Sequence, residues 1–160
     1  MIPDDAWNLL MEIEGGDKLV TDAGGLTKWG ISQRAYPGLD IAGLIESQAR
    51  VLAENDYWRV ARCDALPAHL QFPVFDSAFN QGAAAGVRFL QTALRVPVDG
   101  IPGPRTLSAA QASGPEALHR FNAVRSKAYA NGAPGSWHSW FHRVSLGTWF
   151  ACRQATRGEG

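Results

Sequence analysis

The chain has 160 residues, 46% of them apolar and 19% charged, and its formal net charge is zero. That composition excludes a disordered chain and sets no global field to recruit nucleic acid or an anionic membrane. The length suits one domain, and no run of about 18 apolar residues exists to span a membrane.

The predicted elements are mostly helical. Pro3-Asp4-Asp5 is a start signal, and Trp7, Leu10, Met11 and Glu14 then fall on one stripe. Gly15-Gly16 ends that helix. Thr27, Trp29 and Ile31 alternate with Lys28 and Gly30, which predicts a small β-hairpin turning at Asp22-Ala-Gly-Gly25. Ile41, Leu44, Ile45, Gln48, Val51, Leu52, Asn55 and Trp58 mark a second long helix. Pro67 opens a third, in which Phe72, Phe75 and Phe79 recur at three- and four-residue steps until Gly82. Val87, Leu90 and Leu94 predict a short fourth helix, and Pro104 suits the first position of a fifth. Leu118, Phe121, Val124, Ala128 and Tyr129 predict a sixth, and a Trp-rich segment from Trp137 to Arg153 a last. Ser113-Gly-Pro115 and Asn131-Gly-Ala-Pro-Gly135 read as turns inside one domain. The expected fold is therefore mainly α, with one small N-terminal hairpin, spanning 1–160 as a single compact domain.

The N-terminus, MIPDDAWNLL, opens with two acids and no basic residue, so it does not read as a secretory signal, and synthesis in a cytoplasm is expected. In that setting Cys63 and Cys152 are expected to be free thiols. His138 and His142 stand one helical turn apart and could form a zinc pair, but the Glu of a His-Glu-x-x-His motif is absent because Ser139 follows His138. A packed aromatic and histidine cluster with Trp137 and Trp140 is the expectation, with no metal and no cofactor. Arg143, Arg153 and Arg157 are too scattered for a nucleic-acid module.

Glu14 is the most informative residue. It continues an apolar stripe and closes a helix whose C-terminal dipole is negative; both effects raise a carboxyl pKa and suit a general acid. The alternative is a side chain turned to solvent at a frayed helix end. Asp22 and Thr27, on a hairpin beside that helix end, could together hold a water opposite the acid, the pair of roles that glycoside hydrolysis needs. The alternatives are a turn-initiating Asp22 and a plain strand Thr27. Asp17 competes for the second-carboxylate role, although its place after the glycine pair suits the surface. Asn80 and Gln81, at the end of the Phe-rich helix, could bind N-acetyl groups or hydroxyls, or cap the helix. Trp29, Tyr57 and Trp58 could stack on sugar rings, Trp29 first because it neighbours Thr27. Asp76, one turn before Asn80, is expected to pair with an arginine.

Several spaced motifs together carry a resemblance. Glu14-Gly-Gly, Asp22-x-Gly-Gly25 and Thr27-x-x-Gly-Ile31 resemble the N-terminal signature of glycoside hydrolase family 108, the N-acetylmuramidase endolysins. Tyr57-Trp58, Asp64-x-Leu-Pro67, Phe75-Asp76-x-x-x-Asn80-x-Gly82, Phe89-Leu-Gln91 and Asp99-Gly-x-x-Gly-Pro104-x-Thr106 follow in the family's order, so the likeness covers roughly residues 5 to 130. It implies a lysozyme-like fold, with a catalytic part at 1–95 and a helical part at 96–160 that resembles a peptidoglycan-binding segment. It also implies a muramidase that cleaves bacterial peptidoglycan between N-acetylmuramic acid and N-acetylglucosamine. Glu14 then maps onto the catalytic acid, and Asp22 with Thr27 positions the water. Trp29, Tyr57, Asn80 and Gln81 are the expected substrate contacts. The chain departs from the family in having Asp17 directly after the glycine pair and a loop one residue shorter, which bears on Asp22 more than on Glu14. By analogy with phage lysins, such a monomer is released through a holin and acts on the cell wall in the periplasm. A lytic transglycosylase and a non-catalytic peptidoglycan-binding module are the competing functions.

Overall fold

Pro3 and the two acids after it start the first helix where the sequence places it. In the computed structural model, which describes residues 1–22, 25–131 and 137–157 (side chains at 22, 137–139 and 157 excepted), helix α1 spans Asp4–Glu14. Pro3 is extended, and its carbonyl accepts the Trp7 N–H at 3.0 Å. Asp4 and Asp5 sit in the first turn, where the helix dipole favours negative charge. The chain divides into two compact units, Met1–Asn55 and Asp56–Gly160.

In the first unit, α1 leads into a three-stranded antiparallel sheet of β1 (Val20–Asp22), β2 (Gly25–Lys28) and β3 (Ile31–Ser32), in that order. The alternation predicted through Thr27, Trp29 and Ile31 is interrupted. Trp29 and Gly30 both adopt positive φ, 54° and 71°, and form a second tight turn that pairs Lys28 with Ile31 and Thr27 with Ser32. Ile31 is therefore buried on the face opposite Thr27. The second helix is also shorter than its apolar pattern. Ile41 and Leu44 are buried, but from a turn; Gly43 N–H donates to Asp40 Oδ1 at 3.1 Å there. Helix α2 spans Glu46–Ala53 and loosens into a π-helical turn over Glu54–Trp58. Gln48 reaches back to accept the Ile45 N–H at 3.3 Å, the half of a capping box that an Ile cap allows. The Trp7 indole N–H donates to Glu46 at 2.8 Å. Arg50 donates to the Ile2 carbonyl at 2.7 Å and to Asp4 at 2.6 Å, so α2 is tied to α1 along one edge.

The second unit holds α3 (Ala68–Gln81), α4 (Ala83–Leu94), α5 (Pro104–Gln111), α6 (Glu116–Ala130) and α7 (Trp137–Arg157). The Phe-rich α3 is the central helix. Leu70, Phe72, Val74, Phe75 and Ala78 are buried, and α4, α6 and α7 all pack on it. Helices α3 and α4 approach so closely at Gly86 that a Cβ there would stand 2.9 Å from the Ala78 backbone nitrogen. The Asp99-Gly-Ile-Pro-Gly loop is organised by one buried amide. Gln91 Nε2 donates to Asp99 Oδ1, the Ile101 carbonyl and Thr106 Oγ1, and its Oε1 accepts the N–H groups of Asp99 and Gly100. Pro104 takes the first position of α5. Cys63 is buried and Cys152 exposed, both as free thiols. The Asn131–Gly135 turn has residues 132–135 outside the described ones.

Among the described residues of this unit, Asp76 is a buried carboxylate, fully enclosed between two guanidinium groups. Arg125 Nη1 donates to Oδ2 at 2.6 Å and Arg143 Nη1 to Oδ1 at 2.5 Å. Asp76 thus has the arginine partner expected of it, and a second one from α7.

Three substitutions test this packing. Gly86→Ala overpacks the α3–α4 crossing and costs about 1–3 kcal/mol in denaturant unfolding. Gly147→Ala meets Phe72 at an ordinary 3.5 Å and gains helix propensity, so it stabilises by about 0.5–1 kcal/mol. Asp76→Ala strands two buried cations and costs roughly 3–5 kcal/mol. Equal, small effects of Gly86→Ala and Asp76→Ala on the unfolding midpoint would contradict this account.

Candidate active site

Glu14 is the last helical residue of α1 and is half-buried, as the stripe of Trp7, Leu10 and Met11 requires. The backbone then leaves the helix through Gly15 at φ 85° and Gly16 at φ 62°. Both N–H groups return to the Met11 carbonyl, Gly16 at 2.9 Å; the Gly16 bond is the 6→1 bond of a Schellman motif and the Gly15 bond the 5→1 bond of an αL cap. Only glycine takes two left-handed residues in succession without steric strain. The Gly16 carbonyl, turned outward by this exit, accepts the Trp29 N–H at 2.9 Å. That bond fastens the second turn of the sheet to the end of the Glu14 helix. Thr27 lies two residues before Trp29 and is half-buried.

The sheet register arranges the remaining positions. Val20 pairs with Thr27, and Asp22 pairs with Gly25 across the first turn. Residues two apart on a strand share a face, so positions 22 and 27 lie on one face of the β1–β2 ribbon. The Asp22 side chain and Gly24 lie outside the described residues. Asp17 is exposed, as its place after the glycine pair implies. Trp29 is half-buried, and its indole N–H is held by the Leu44 carbonyl at 3.2 Å; its polar edge therefore serves the fold.

In the second unit the expected binding residues sit at the C-terminal end of α3. Asn80 is exposed and Gln81 half-buried. Gln81 Oε1 accepts from Arg125 Nε at 3.2 Å and from the Ser77 hydroxyl at 3.3 Å. Asn80 Oδ1 accepts the Tyr129 hydroxyl at 2.9 Å, and Tyr129 in turn accepts from Arg125 Nη2 at 2.7 Å. Tyr129 stacks on Trp140 with ring centroids 4.7 Å apart, and its pKa is raised, mainly by burial, which keeps it a neutral hydroxyl. Tyr57 is half-buried against Phe79, centroids 5.0 Å apart. Trp58 is buried edge-on to Phe75 with its indole N–H on Asp64 at 2.8 Å; it is a core residue.

Arg125 and Tyr129 join this cluster without having been singled out for a site. The signal was present in α6. Leu118, Phe121, Arg125 and Tyr129 follow at steps of three, four and four and are all buried, so the stripe runs through Arg125 rather than Val124. A buried arginine demands a carboxylate, and Asp76 supplies it. His142 is exposed, and the His138 side chain lies outside the described ones; among the described residues no three His, Cys, Asp or Glu side chains are grouped to hold a metal. No helix among them is long and apolar enough to cross a membrane.

No curated protein matches the chain in sequence. The chain is similar in structure to Brucella abortus SagA, with a TM-score of 0.83 and 26% sequence identity over 94% of each chain. The fold is thus lysozyme-like: mainly helical with a small three-stranded antiparallel sheet. Residues 7–82, which hold Glu14, the sheet and the α3 amides, match the family described as glycosyl hydrolase 108.

Proposed function

We propose that the protein is a glycoside hydrolase that degrades bacterial peptidoglycan, a muramidase acting on the β-1,4 bond between N-acetylmuramic acid and N-acetylglucosamine. The observation that carries this reading is the bond from Trp29 N–H to the Gly16 carbonyl, which fixes the sheet to the end of the Glu14 helix inside the segment matched by the glycosyl hydrolase 108 family. Glu14 donates a proton to the glycosidic oxygen as the bond to the anomeric carbon breaks. Asp22, with Thr27 orienting the water, accepts a proton from the water that attacks that carbon from the opposite face. The anomeric configuration inverts, which requires a carboxyl separation of roughly 6.5–9.5 Å to leave room for the water. Trp29 in the first unit, and Tyr57, Asn80 and Gln81 in the second, are the proposed glycan contacts. The reaction places the protein's work in the bacterial envelope, reached by holin-dependent release if it is a phage lysin.

Purified peptidoglycan digested by the native protein should release fragments with reducing muramic acid ends, the α-anomer forming first. Glu14→Gln should lower the rate by about 10²–10⁴-fold while leaving the melting temperature nearly unchanged. Asp22→Asn should fall by a similar factor, and Thr27→Val by less. Anhydromuramic ends in the mass spectrum would replace hydrolysis by transglycosylation, and a Glu14→Gln variant of native rate would remove Glu14 from the mechanism.

A further inference from the structure

The end of α3 carries two side-chain amides whose oxygens are both committed to one buried arginine. Gln81 Oε1 takes Arg125 Nε directly, and Asn80 Oδ1 takes the same guanidinium through the Tyr129 hydroxyl. An amide has one oxygen and one NH₂ group; fixing the oxygen inward aims the donors elsewhere. Arg125 cannot rotate away from this task, because it is buried and paired with Asp76 at 2.6 Å. Tyr129 cannot either, because it is buried and stacked on Trp140. The direction of hydrogen bonding along this chain is also determined. Arg125 only donates, so Tyr129 accepts from it, and the single Tyr129 proton goes to Asn80 Oδ1. Asn80, at the exposed end, is left presenting its NH₂ to solvent.

We propose that Tyr129 is a positioning residue that makes Asn80 an obligate donor, and that this donor recognises the carbonyl oxygen of a glycan N-acetyl group. The inference rests on the peptidoglycan reading above and deepens it by naming the group on the sugar that is read. A freely turning asparagine would offer either its oxygen or its NH₂, and so would tolerate a sugar with a free amine as readily as an acetylated one. An amide held with its oxygen inward turns only its donors to the ligand. It bonds to the acetamido carbonyl and has no bond to offer a protonated amine. The second amide, Gln81, is held in the same sense and reinforces the selection.

The test is equilibrium binding of soluble glycan fragments, N-acetylated and chemically de-N-acetylated, to the native protein, to Tyr129→Phe and to Asn80→Asp, with melting temperatures in parallel. Tyr129→Phe keeps the ring on Trp140 and removes only the relayed proton. The native protein should prefer the acetylated fragment by about tenfold, the value of one well-placed hydrogen bond. Tyr129→Phe should lose that preference, chiefly by gaining affinity for the amine that the freed Asn80 oxygen can accept. Asn80→Asp, exposed and isosteric, tests the donor even if the tyrosine variant unfolds; it should reverse the preference toward the amine. Retained acetyl preference in both folded variants, or no preference in the native protein, overturns the proposal. Release of sugars in the digestion assay is scored separately: acetyl preference without any product would refute the hydrolase while leaving the donor relay standing.

Discussion

The constraint on which the first unit rests is the left-handed exit of the chain at Gly15 and Gly16. A helix normally ends with its last carbonyls facing water. Here two successive residues of positive φ fold the chain back, so that the Gly16 carbonyl meets the Trp29 N–H. A residue with a Cβ would raise the energy of that path by roughly 1–2 kcal/mol at each position. The sheet is too short to be stable as an isolated ribbon, since its strands hold three, four and two residues. Its attachment to the helix end, together with the anchoring of Trp29 to Leu44 and of Lys28 to Ala42, gives it a fixed place. The position of Thr27 relative to Glu14 is thus a consequence of backbone conformation more than of side-chain packing.

The second unit depends on a different device. Asp76 sits among the buried apolar side chains of α3 and is enclosed by arginines from α6 and α7. Burying a carboxylate alone would cost far more than the unit could offset, so the three charges stand or fall together. Such a triad adds little net stability over an apolar core. It does specify which faces of α6 and α7 meet α3, because any other rotation of either helix would leave a charge unpaired. It also places Arg125 where its remaining nitrogens reach Gln81 and Tyr129, and so extends the order of the core out to the exposed Asn80. Electrostatic specificity in the interior becomes orientation at the surface.

Much of this was legible in the residue order. The helix starts at Asp4, Ala68 and Pro104 carry proline signals immediately before or at the first residue, and the stops at Gly15 and Gly82 carry glycine. The Phe72–Phe75–Phe79 spacing identified the central helix. Two misreadings share one cause. Ile41 and Leu44 fit a helical stripe because a turn can bury the same residues at the same spacing, and the Asp40–Gly43 hydrogen bond that makes the turn is invisible to periodicity. Thr27, Trp29 and Ile31 fit a strand because alternation continues by count across a two-residue turn even as the chain reverses.

Of the site, the sequence by itself determined the residue types and their local frames: a carboxyl closing an apolar helical stripe, a glycine pair after it, and two amides before Gly82. These follow from short-range rules of period, cap and turn, which act over a few residues. Only the tertiary structure decided that the Trp29 turn bonds to the end of the Glu14 helix, that Asn80 and Gln81 have their oxygens held inward, and that Arg125 does the holding. Those outcomes join residues 13 to 49 positions apart. Hydrogen bonds and ion pairs at such separations depend on how helices and strands pack, and no local pattern encodes them.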